Sequence, residues 1–133
     1  METSPLISIV TACYNSINYI SHTIESVLTQ TYENWEMIIV DDHSSDGSYE
    51  AVIEYTKKDK RIKLYRMEHN SGAAMCRNKA IEISRGEYLA FVDSDDIWLP
   101  EKLEKQLKFM RENECDFCFT EYEHVDEKGN EFA

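Results

Sequence analysis

The chain has 133 residues, which is enough for one buried hydrophobic core and too short for two domains. Its apolar fraction of 42% is that of a folded globular protein rather than of a disordered tail. The formal net charge of −12 argues against nucleic-acid binding, because that function needs a basic surface.

The start of the chain contains no signal for export. Residues 1–5 are polar, include an acidic residue and lack the basic stretch that opens a secretory signal peptide. No stretch approaches the ~18 consecutive apolar residues that a membrane-spanning helix requires. We therefore expect a cytoplasmic protein without a transmembrane segment, either free or at the inner face of the membrane.

The cysteines are expected to be reduced and buried. Cys115 and Cys118 match the pattern C-x-x-C, but they lie in a strand-like run, where residues three apart point to opposite faces. A zinc site would need a second close pair, and Cys13 and Cys76 are far apart in the sequence. We therefore expect free thiols.

The apolar pattern changes period repeatedly along the chain, from strand to helix and back. β-Rich runs predict five strands at residues 7–13, 36–40, 61–67, 88–92 and 116–120. Four helices are predicted between these strands. The first carries Ile20, Ile24, Val27 and Leu28 on one face, and the second begins at the Ser/Asp/Gly cluster of residues 44–48. The other two cover residues 73–84, with Gly86 as the C-terminal stop, and the segment after Pro100, with Leu103, Leu107 and Met110 on one face.

Apolar strands separated by amphipathic helices predict an α/β fold. We expect a Rossmann-like three-layer sandwich with a mainly parallel central sheet and helices on both faces. The sequence contains no linker, repeat or low-complexity tract. Residues 1–133 are therefore expected to form a single domain.

Polar residues collect at three of the predicted strand ends. They are residues 11–15 after the first strand, Asp41 and Asp42 after the second, and residues 93–96 after the fourth. In such sheets the ligand site lies outside the carboxyl ends of the strands, where the strand order reverses. If the order is 3-2-1-4, the three ends are neighbours on one rim.

The acidic run after the fourth strand suggests a metal site. Asp93, Asp95 and Asp96 lie within four residues, and their like charges repel one another unless something neutralises them. Asp oxygens are hard ligands of the kind that Mg²⁺ or Mn²⁺ prefers. The alternative is a solvated acidic turn that caps the helix near Pro100.

Further residues near these strand ends have side chains suited to a nucleotide. Tyr14 could stack on a base, although a lone aromatic residue also fits packing at the rim. Asp42 could accept a hydrogen bond from a uracil N–H, or it could cap the following helix. Arg77 and Lys79 follow Gly72 in a predicted helix and could face phosphate, although exposed cations are common on helices. The sequence has neither G-x-G-x-x-G nor a P-loop motif, which excludes the standard dinucleotide fingerprint and P-loop chemistry.

A set of short motifs runs through nearly the whole chain. They are residues 5–15 (PLISIVTACYN), 26–32 (SVLTQTY), 39–47 (IVDDHSSDG), 70–72 (NSG), Ala74, 77–78 (RN), 86–88 (GEY), 93–96 (DSDD) and 98–100 (WLP). In this order and spacing they resemble the family-2 glycosyltransferases, which have the GT-A nucleotide-diphospho-sugar transferase fold. As a set the motifs are specific, whereas no single one would suffice.

The resemblance implies a site residue by residue. The nucleotide-sugar-binding residues would be Thr11, Ala12, Tyr14, Asn15, Asp42, Arg77, Asp93 and Ser94. Tyr14 looks like the ring that stacks on the base, and Asp42 looks like the carboxylate that reads uracil. Asp93-Ser94-Asp95 looks like the family's D-x-D motif, in which Asp95, with Asp93 beside it, would hold Mn²⁺ or Mg²⁺ against the diphosphate.

The resemblance also implies a reaction. A hexosyl group would be transferred from a nucleotide-diphosphate sugar to an acceptor hydroxyl, with UDP as the preferred nucleotide. The configuration at the anomeric carbon would be inverted, and a metal ion would assist the reaction. The acceptor would be a glycan or a lipid-linked molecule of polysaccharide biosynthesis. The family's general base lies downstream of the D-x-D motif, and we find no candidate before Ala133. We therefore expect the donor-binding half of an enzyme, truncated before the acceptor-binding and catalytic-base region.

Two other functions fit parts of the pattern. Residues 91–97 also resemble the nucleophile motif of haloacid-dehalogenase-like phosphatases, in which Asp93 would be phosphorylated and Asp95 would act as acid and base. That motif normally follows the first strand rather than the fourth. A non-catalytic receiver-like or nucleotide-binding module would share the alternating layout and an acidic pocket, but receivers place the acidic pair after the first strand.

Overall fold

The structure is a computed structural model that describes residues 4–116. In this range strands and helices alternate strictly: β1 (Ile7–Cys13), α1 (Ile20–Leu28), β2 (Trp35–Asp41), α2 (Ser48–Lys58), β3 (Ile62–Arg66), α3 (Ala73–Ile83), β4 (Tyr88–Phe91) and α4 (Lys102–Glu112). None of these helices is long and apolar enough to cross a bilayer. The predicted fifth strand at residues 116–120, apart from Asp116, and Cys118 lie outside the described residues.

The strands of the described region form one parallel sheet in the order β3-β2-β1-β4. Ile7 of β1 pairs with Trp35 of β2 on one side and with Tyr88 of β4 on the other. The chain builds outward from β1 to β3 and then returns to the other side of β1, so the strand order reverses between β1 and β4. This confirms the predicted α/β fold and strand order, and it places the carboxyl ends of β2, β1 and β4 side by side.

The sheet is covered by helices on both faces, because alternate side chains of the central strands point to opposite sides. One apolar cluster contains Ile9 and Met37 of the sheet together with Ile24 of α1, Val52 of α2 and Leu103 of α4. The other cluster lies on the opposite face, where Val10, Ile38 and Val40 pack against Cys76 and Ala80 of α3. Burial of each such large aliphatic side chain contributes about 1.5–3 kcal/mol, which is why the central strands are apolar on both faces.

Gly86 has a different role from the one predicted. Helix α3 ends at Ile83, and Ser84 after it is already extended, so Gly86 does not form a left-handed helix cap. Instead the backbone N–H of Gly86 donates to Ser8 Oγ at 2.7 Å, and a Cβ at this position would lie 2.6 Å from that oxygen and 2.7 Å from Leu6 O. Glycine is therefore needed here because the chain passes directly against β1.

A buried carboxylate ties β1, β2, β3 and the α3–β4 connection together. Glu36 accepts hydrogen bonds from Ser8 Oγ at 2.6 Å, from Lys63 Nζ at 2.7 Å and from the backbone N–H of Arg85 at 2.7 Å. Burial of the carboxyl group favours its neutral form, but these hydrogen bonds outweigh burial and lower the pKa of Glu36 below its ordinary value. The ionised form is therefore part of the folded structure.

Candidate functional site

A cleft of about 370 Å³ opens at the carboxyl ends of β1, β2 and β4. We call it the rim cleft. Seven residues that the sequence analysis singled out line it: Ala12, Tyr14, Asp42, Arg77, Asp93, Ser94 and Asp95. The cleft lies where the strand order reverses, the position at which open α/β sheets bind ligands. The topology therefore brings together residues that are up to 83 positions apart in the sequence, from Ala12 to Asp95.

Two of the predicted binding residues, Thr11 and Asn15, are not among those lining the rim cleft. Thr11 is fully buried, and its Oγ1 has no hydrogen-bond partner among the described residues. Asn15 lies beside the cleft wall, where its backbone N–H donates to Ser44 Oγ and its Oδ1 accepts from the N–H of Ser45, both at 2.9 Å. Asn15 therefore fastens the β1–α1 loop, which carries Tyr14, to the loop that follows β2.

Tyr14 presents an aromatic ring at the mouth of the rim cleft. Its side chain follows the last residue of β1, and 52% of its surface is exposed. A buried ring would be satisfied by packing, whereas this one offers an open face with which a planar ligand can stack. The buried Cys13 also lines the cleft, and its burial together with the nearby Asp41 carboxylate raises the pKa of its thiol to about 12. The thiol therefore stays protonated and is no candidate nucleophile.

Asp42 holds the start of α3 from the end of β2. It is only 4% exposed, and its two carboxylate oxygens accept the backbone N–H groups of Ser71 at 2.7 Å and Gly72 at 2.9 Å. Gly72 has a φ of +96°, in the region that favours glycine. Asp42 therefore fastens the two residues that precede α3, and it does not cap the helix that follows it in sequence. The Cys76 thiol also hydrogen-bonds to this carboxylate, and the lone pairs that remain can accept a hydrogen bond from a ligand in the cleft.

Arg77 is the basic side chain among the residues that line the rim cleft. It lies in α3, and its Nη2 is 3.2 Å from Asp93 Oδ1. Both side chains are about half exposed, so the ion pair is screened and open to exchange for another anion. Lys79 turns away: its Nζ lies 4.8 Å from the centre of the Tyr65 ring and 3.7 Å from Glu82. Of the two predicted cations, only Arg77 reaches the cleft.

Residues 93–96, which we call the acidic turn, bring three carboxylates together at one side of the cleft. The carboxylate oxygens of Asp93, Asp95 and Asp96 lie within 4.8 Å of one another. Partial burial and the charges of Asp93 and Asp95 raise the pKa of Asp96. A hard divalent cation fits this donor set, because carboxylate oxygens are its preferred ligands and its charge removes the repulsion. Asp96 joins the predicted ligands Asp95 and Asp93 as a third neighbouring carboxylate.

The structure adds residues to the rim cleft that were not predicted as binding residues. They are Cys13, Asn70, Gly72 and Ala73. Asn70 precedes α3, and its Nδ2 donates to the backbone oxygen of Asp42 at 3.3 Å. The sequence signal for this segment is the run Asn-Ser-Gly before a helix, which marks a turn but does not show that β2 lies beside it.

Comparison with known protein families gives a match over almost the whole chain. The family "Glycosyl transferase family 2" matches residues 8–133. A putative teichuronic acid biosynthesis glycosyltransferase of Bacillus subtilis, TuaG, is 51% identical over 125 residues, which cover 94% of this chain and 50% of the relative. An Escherichia coli protein, the UDP-Glc:alpha-D-GlcNAc-diphosphoundecaprenol beta-1,3-glucosyltransferase WfgD, is 45% identical over 120 residues, which cover 90% of this chain and 47% of the relative. The chain thus spans about half the length of these relatives.

Solved structures show the same architecture. S. aureus TarS 1-349 in complex with UDP-GlcNAc superposes with a TM-score of 0.76 at 33% identity, covering 81% of this chain and 32% of that one. The mannosyltransferase PcManGT from Pyrobaculum calidifontis, in complex with GDP-Man and Mn²⁺, gives a TM-score of 0.76 at 23% identity, covering 81% of this chain and 33% of that one. At that identity the second likeness concerns the fold alone. By its sequence and its fold, the chain belongs to glycosyltransferase family 2.

Proposed function

We propose that the rim cleft binds a nucleotide-diphosphate sugar, with UDP as the nucleotide, and that the chain is the donor-binding part of an inverting glycosyltransferase. The observation that carries this proposal is the convergence of Tyr14, Asp42, Arg77 and the acidic turn on one cleft in a chain of this family. These residues come from three strand ends and one helix. Their side chains match the base, the ribose and the diphosphate of one extended ligand.

The base end of the proposed site is formed by Tyr14 and Asp42. The half-exposed ring of Tyr14 suits stacking on a pyrimidine. Asp42 is held rigidly by the N–H groups of Ser71 and Gly72, so its free lone pairs point in a fixed direction and can accept the N–H of a uracil ring. Preference for UDP is further supported by the relative whose name specifies UDP-Glc and by TarS, which was crystallised with UDP and with UDP-GlcNAc.

The diphosphate end is formed by Arg77 and the acidic turn. A protein with a net charge of −12 repels a diphosphate unless positive charge is placed at the site. Arg77 supplies one such charge, and Asp95 with Asp93 would hold a divalent cation, Mn²⁺ or Mg²⁺, that supplies the rest. Bound there, the cation would stabilise the negative charge that develops on the departing nucleoside diphosphate. Ser94 lies beside these groups and could contact the ribose.

We assign the general base to none of the described cleft residues. Asp42 is engaged by two backbone N–H groups, Asp93 by Arg77, and Asp95 in the proposal by the cation. We propose that residues 1–133 form the nucleotide-sugar-binding domain and that the base and the acceptor site come from another part of the protein. By analogy with the relative that acts on a diphosphoundecaprenol-linked sugar, we propose a glycan or lipid-linked acceptor and a reaction at the cytoplasmic face of the membrane.

Isothermal titration calorimetry with UDP, GDP and dTDP, each with and without Mn²⁺, tests the proposal. We expect UDP to bind most tightly of the three nucleotides and more tightly with Mn²⁺ than without it, and we expect this effect of the metal to vanish in Asp95→Ala. Glu112→Ala is the matched control, because it removes the same charge from an exposed position of α4. Equal binding of all three nucleotides with no effect of Mn²⁺ would contradict the proposal.

Membership of the family does not favour the phosphatase or the receiver-like module. The acidic turn follows β4 rather than the first strand, where both alternatives place their acidic residues. A phosphatase would keep its activity in Asp42→Ala and lose it in Asp93→Asn, and a receiver would be labelled by small phosphodonors. We expect neither behaviour.

A further inference from the structure

The acidic turn and the segment that follows it are held by buried polar side chains of α1 and of the residues just after it. Thr23 and Ser26 lie in α1 and Gln30 lies two residues after its end, and the three side chains are 0%, 7% and 5% exposed. Ser26 Oγ accepts the N–H of Trp98 at 3.1 Å, and Gln30 Nε2 donates to the backbone oxygen of Leu99 at 2.7 Å. The segment that follows the acidic turn is therefore fastened to a helix by side chains rather than by a strand ladder.

Thr23 is the one of these three side chains that reaches the acidic turn itself. Its hydroxyl Oγ1 lies 3.0 Å from the backbone oxygen of Ser94 and 2.7 Å from that of Asp96, and it can donate to either. Within the turn, the N–H of Asp96 donates to the backbone oxygen of Asp93 at 3.0 Å. The single hydroxyl proton of Thr23 thus holds one backbone carbonyl at a time, that of Asp96 or that of Ser94, in a four-residue turn in which three carboxylates lie within 4.8 Å of one another.

A second contact fixes the same turn from the β1–α1 loop. Ser16 Oγ lies 2.7 Å from Ser94 Oγ and 3.1 Å from the backbone oxygen of Tyr14. Ser16 has one hydroxyl proton, so when it donates to Tyr14 the proton between the two serines comes from Ser94. Ser94 Oγ is then left with a lone pair for a donor in the rim cleft. Ser16 therefore links the loop that carries the aromatic ring to the turn that carries the carboxylates.

We propose that Thr23 and Ser16 are positioning residues: they hold the acidic turn in a conformation in which its carboxylates can bind one divalent cation. Neither is among the residues that line the rim cleft. Three neighbouring carboxylates repel one another and would spread apart on a free loop. The hydrogen bond from Thr23 to a backbone carbonyl and the contact between Ser16 and the Ser94 hydroxyl hold the turn against that repulsion, so the carboxylates stay within reach of a single ion. This role rests on the proposed function, because it acts on the metal that the donor needs.

The test compares Thr23→Val with Thr23→Ser. Valine keeps the shape of threonine and removes the hydroxyl, whereas serine keeps the hydroxyl and removes the methyl group. Thr56→Val is the matched control: Thr56 Oγ1 also donates to a backbone oxygen, that of Ile53 at 2.6 Å, but near the end of α2, at the other edge of the sheet. The measured quantity is the factor by which Mn²⁺ tightens UDP binding relative to binding in EDTA.

We expect Thr23→Val to lower this manganese factor by about 10-fold, as loss of a hydrogen-bond partner behind a metal ligand commonly does, and to leave UDP binding in EDTA unchanged. Thr23→Ser and Thr56→Val should keep the wild-type factor. A merely structural defect would change binding in EDTA as well. An unchanged factor in Thr23→Val, or an equal loss in Thr23→Ser, would overturn the proposal while leaving the proposed function intact.

Two results separate the remaining outcomes. If Thr23→Val does not fold, Ser16→Ala carries the test, because it removes the side-chain contact to Ser94 of the turn. We expect a reduced manganese factor there too, and an unchanged one would overturn the proposal. A wild-type protein whose UDP affinity does not respond to Mn²⁺ would overturn the proposed function and this role together.

Discussion

Asp42→Asn removes one of the two acceptors that hold the start of α3. In the folded protein the carboxylate accepts the N–H of Ser71 at 2.7 Å and that of Gly72 at 2.9 Å. An asparagine side chain has a single acceptor oxygen, and its NH₂ group would face the second N–H without being able to bind it. The substitution keeps the size of the side chain, so its effect reports the lost charge and the lost hydrogen bond.

The size of the effect follows from these contacts. A hydrogen bond to a charged group contributes about 1.5–3 kcal/mol, and a negative charge near a helix N-terminus contributes about 0.3–1 kcal/mol. Because Asp42 is 4% exposed, water replaces little of what is lost. We therefore expect the free energy of unfolding to fall by about 2–3 kcal/mol, a large share of the ~5–15 kcal/mol that is typical of folded domains.

Urea unfolding followed by far-UV circular dichroism measures this change. Asp95→Asn is the matched control, since it makes the same chemical change in the same cleft at an exposed position. Removal of that charge also relieves repulsion within the acidic turn, so we expect no loss of stability. UDP binding should weaken in both variants: Asp42→Asn removes a contact to the uracil ring, and Asp95→Asn removes a ligand of the metal.

A stability of Asp42→Asn within about 0.5 kcal/mol of the wild-type protein would refute this reasoning, because changes of that size are ordinary for exposed positions. It would mean that the carboxylate does not hold the start of α3. A large loss of stability in Asp95→Asn would also refute the reasoning. In that case the acidic turn would be stabilised by its charges rather than strained by them.

Two further substitutions test the fold that positions the cleft. Gly86→Ala would place a Cβ 2.6–2.7 Å from Ser8 Oγ, Leu6 O and Ser8 N, so we expect a loss of about 1–3 kcal/mol and a lower thermal midpoint; an unchanged midpoint would contradict the close approach to β1. Glu36→Gln tests pH linkage: the pKa of Glu36 is lowered in the folded protein, so its stabilisation is present above its ordinary value of 4.5 and is lost as the pH falls below it. The difference in unfolding free energy between wild-type protein and Glu36→Gln should therefore narrow from about pH 7 to about pH 3. A difference that does not depend on pH would contradict the buried, ionised carboxylate.

Local patterns predicted the layers of the fold and the edge of the sheet that carries the cleft. Apolar runs interrupted by amphipathic helices identify parallel strands, since both faces of such a sheet are covered. Polar residues at the carboxyl ends of β1, β2 and β4 then identify the rim, because ligand sites of such sheets lie outside those ends. The seven predicted residues that line the cleft were found from this pattern and from the family motifs together.

Contacts between distant segments were not predictable from the same pattern. Thr23 looks like an exposed polar position of an amphipathic helix and Gln30 looks like an exposed residue after it, yet both are buried because they bind a segment about 70 residues downstream. The partner of Asp42 is likewise the start of α3, not the helix that follows it. Thr11 shows the converse case: strand alternation places it on the same face as Ile9, inside the core, although the family motif includes it.

A crystal of the protein grown with UDP and Mn²⁺, with data collected at the manganese absorption edge, tests the central claim most directly. We expect one anomalous peak between the carboxylate of Asp95 and the diphosphate oxygens, with the uracil ring against Tyr14. Bound UDP without a manganese peak at the acidic turn, or a peak at another group of side chains, would contradict the claim.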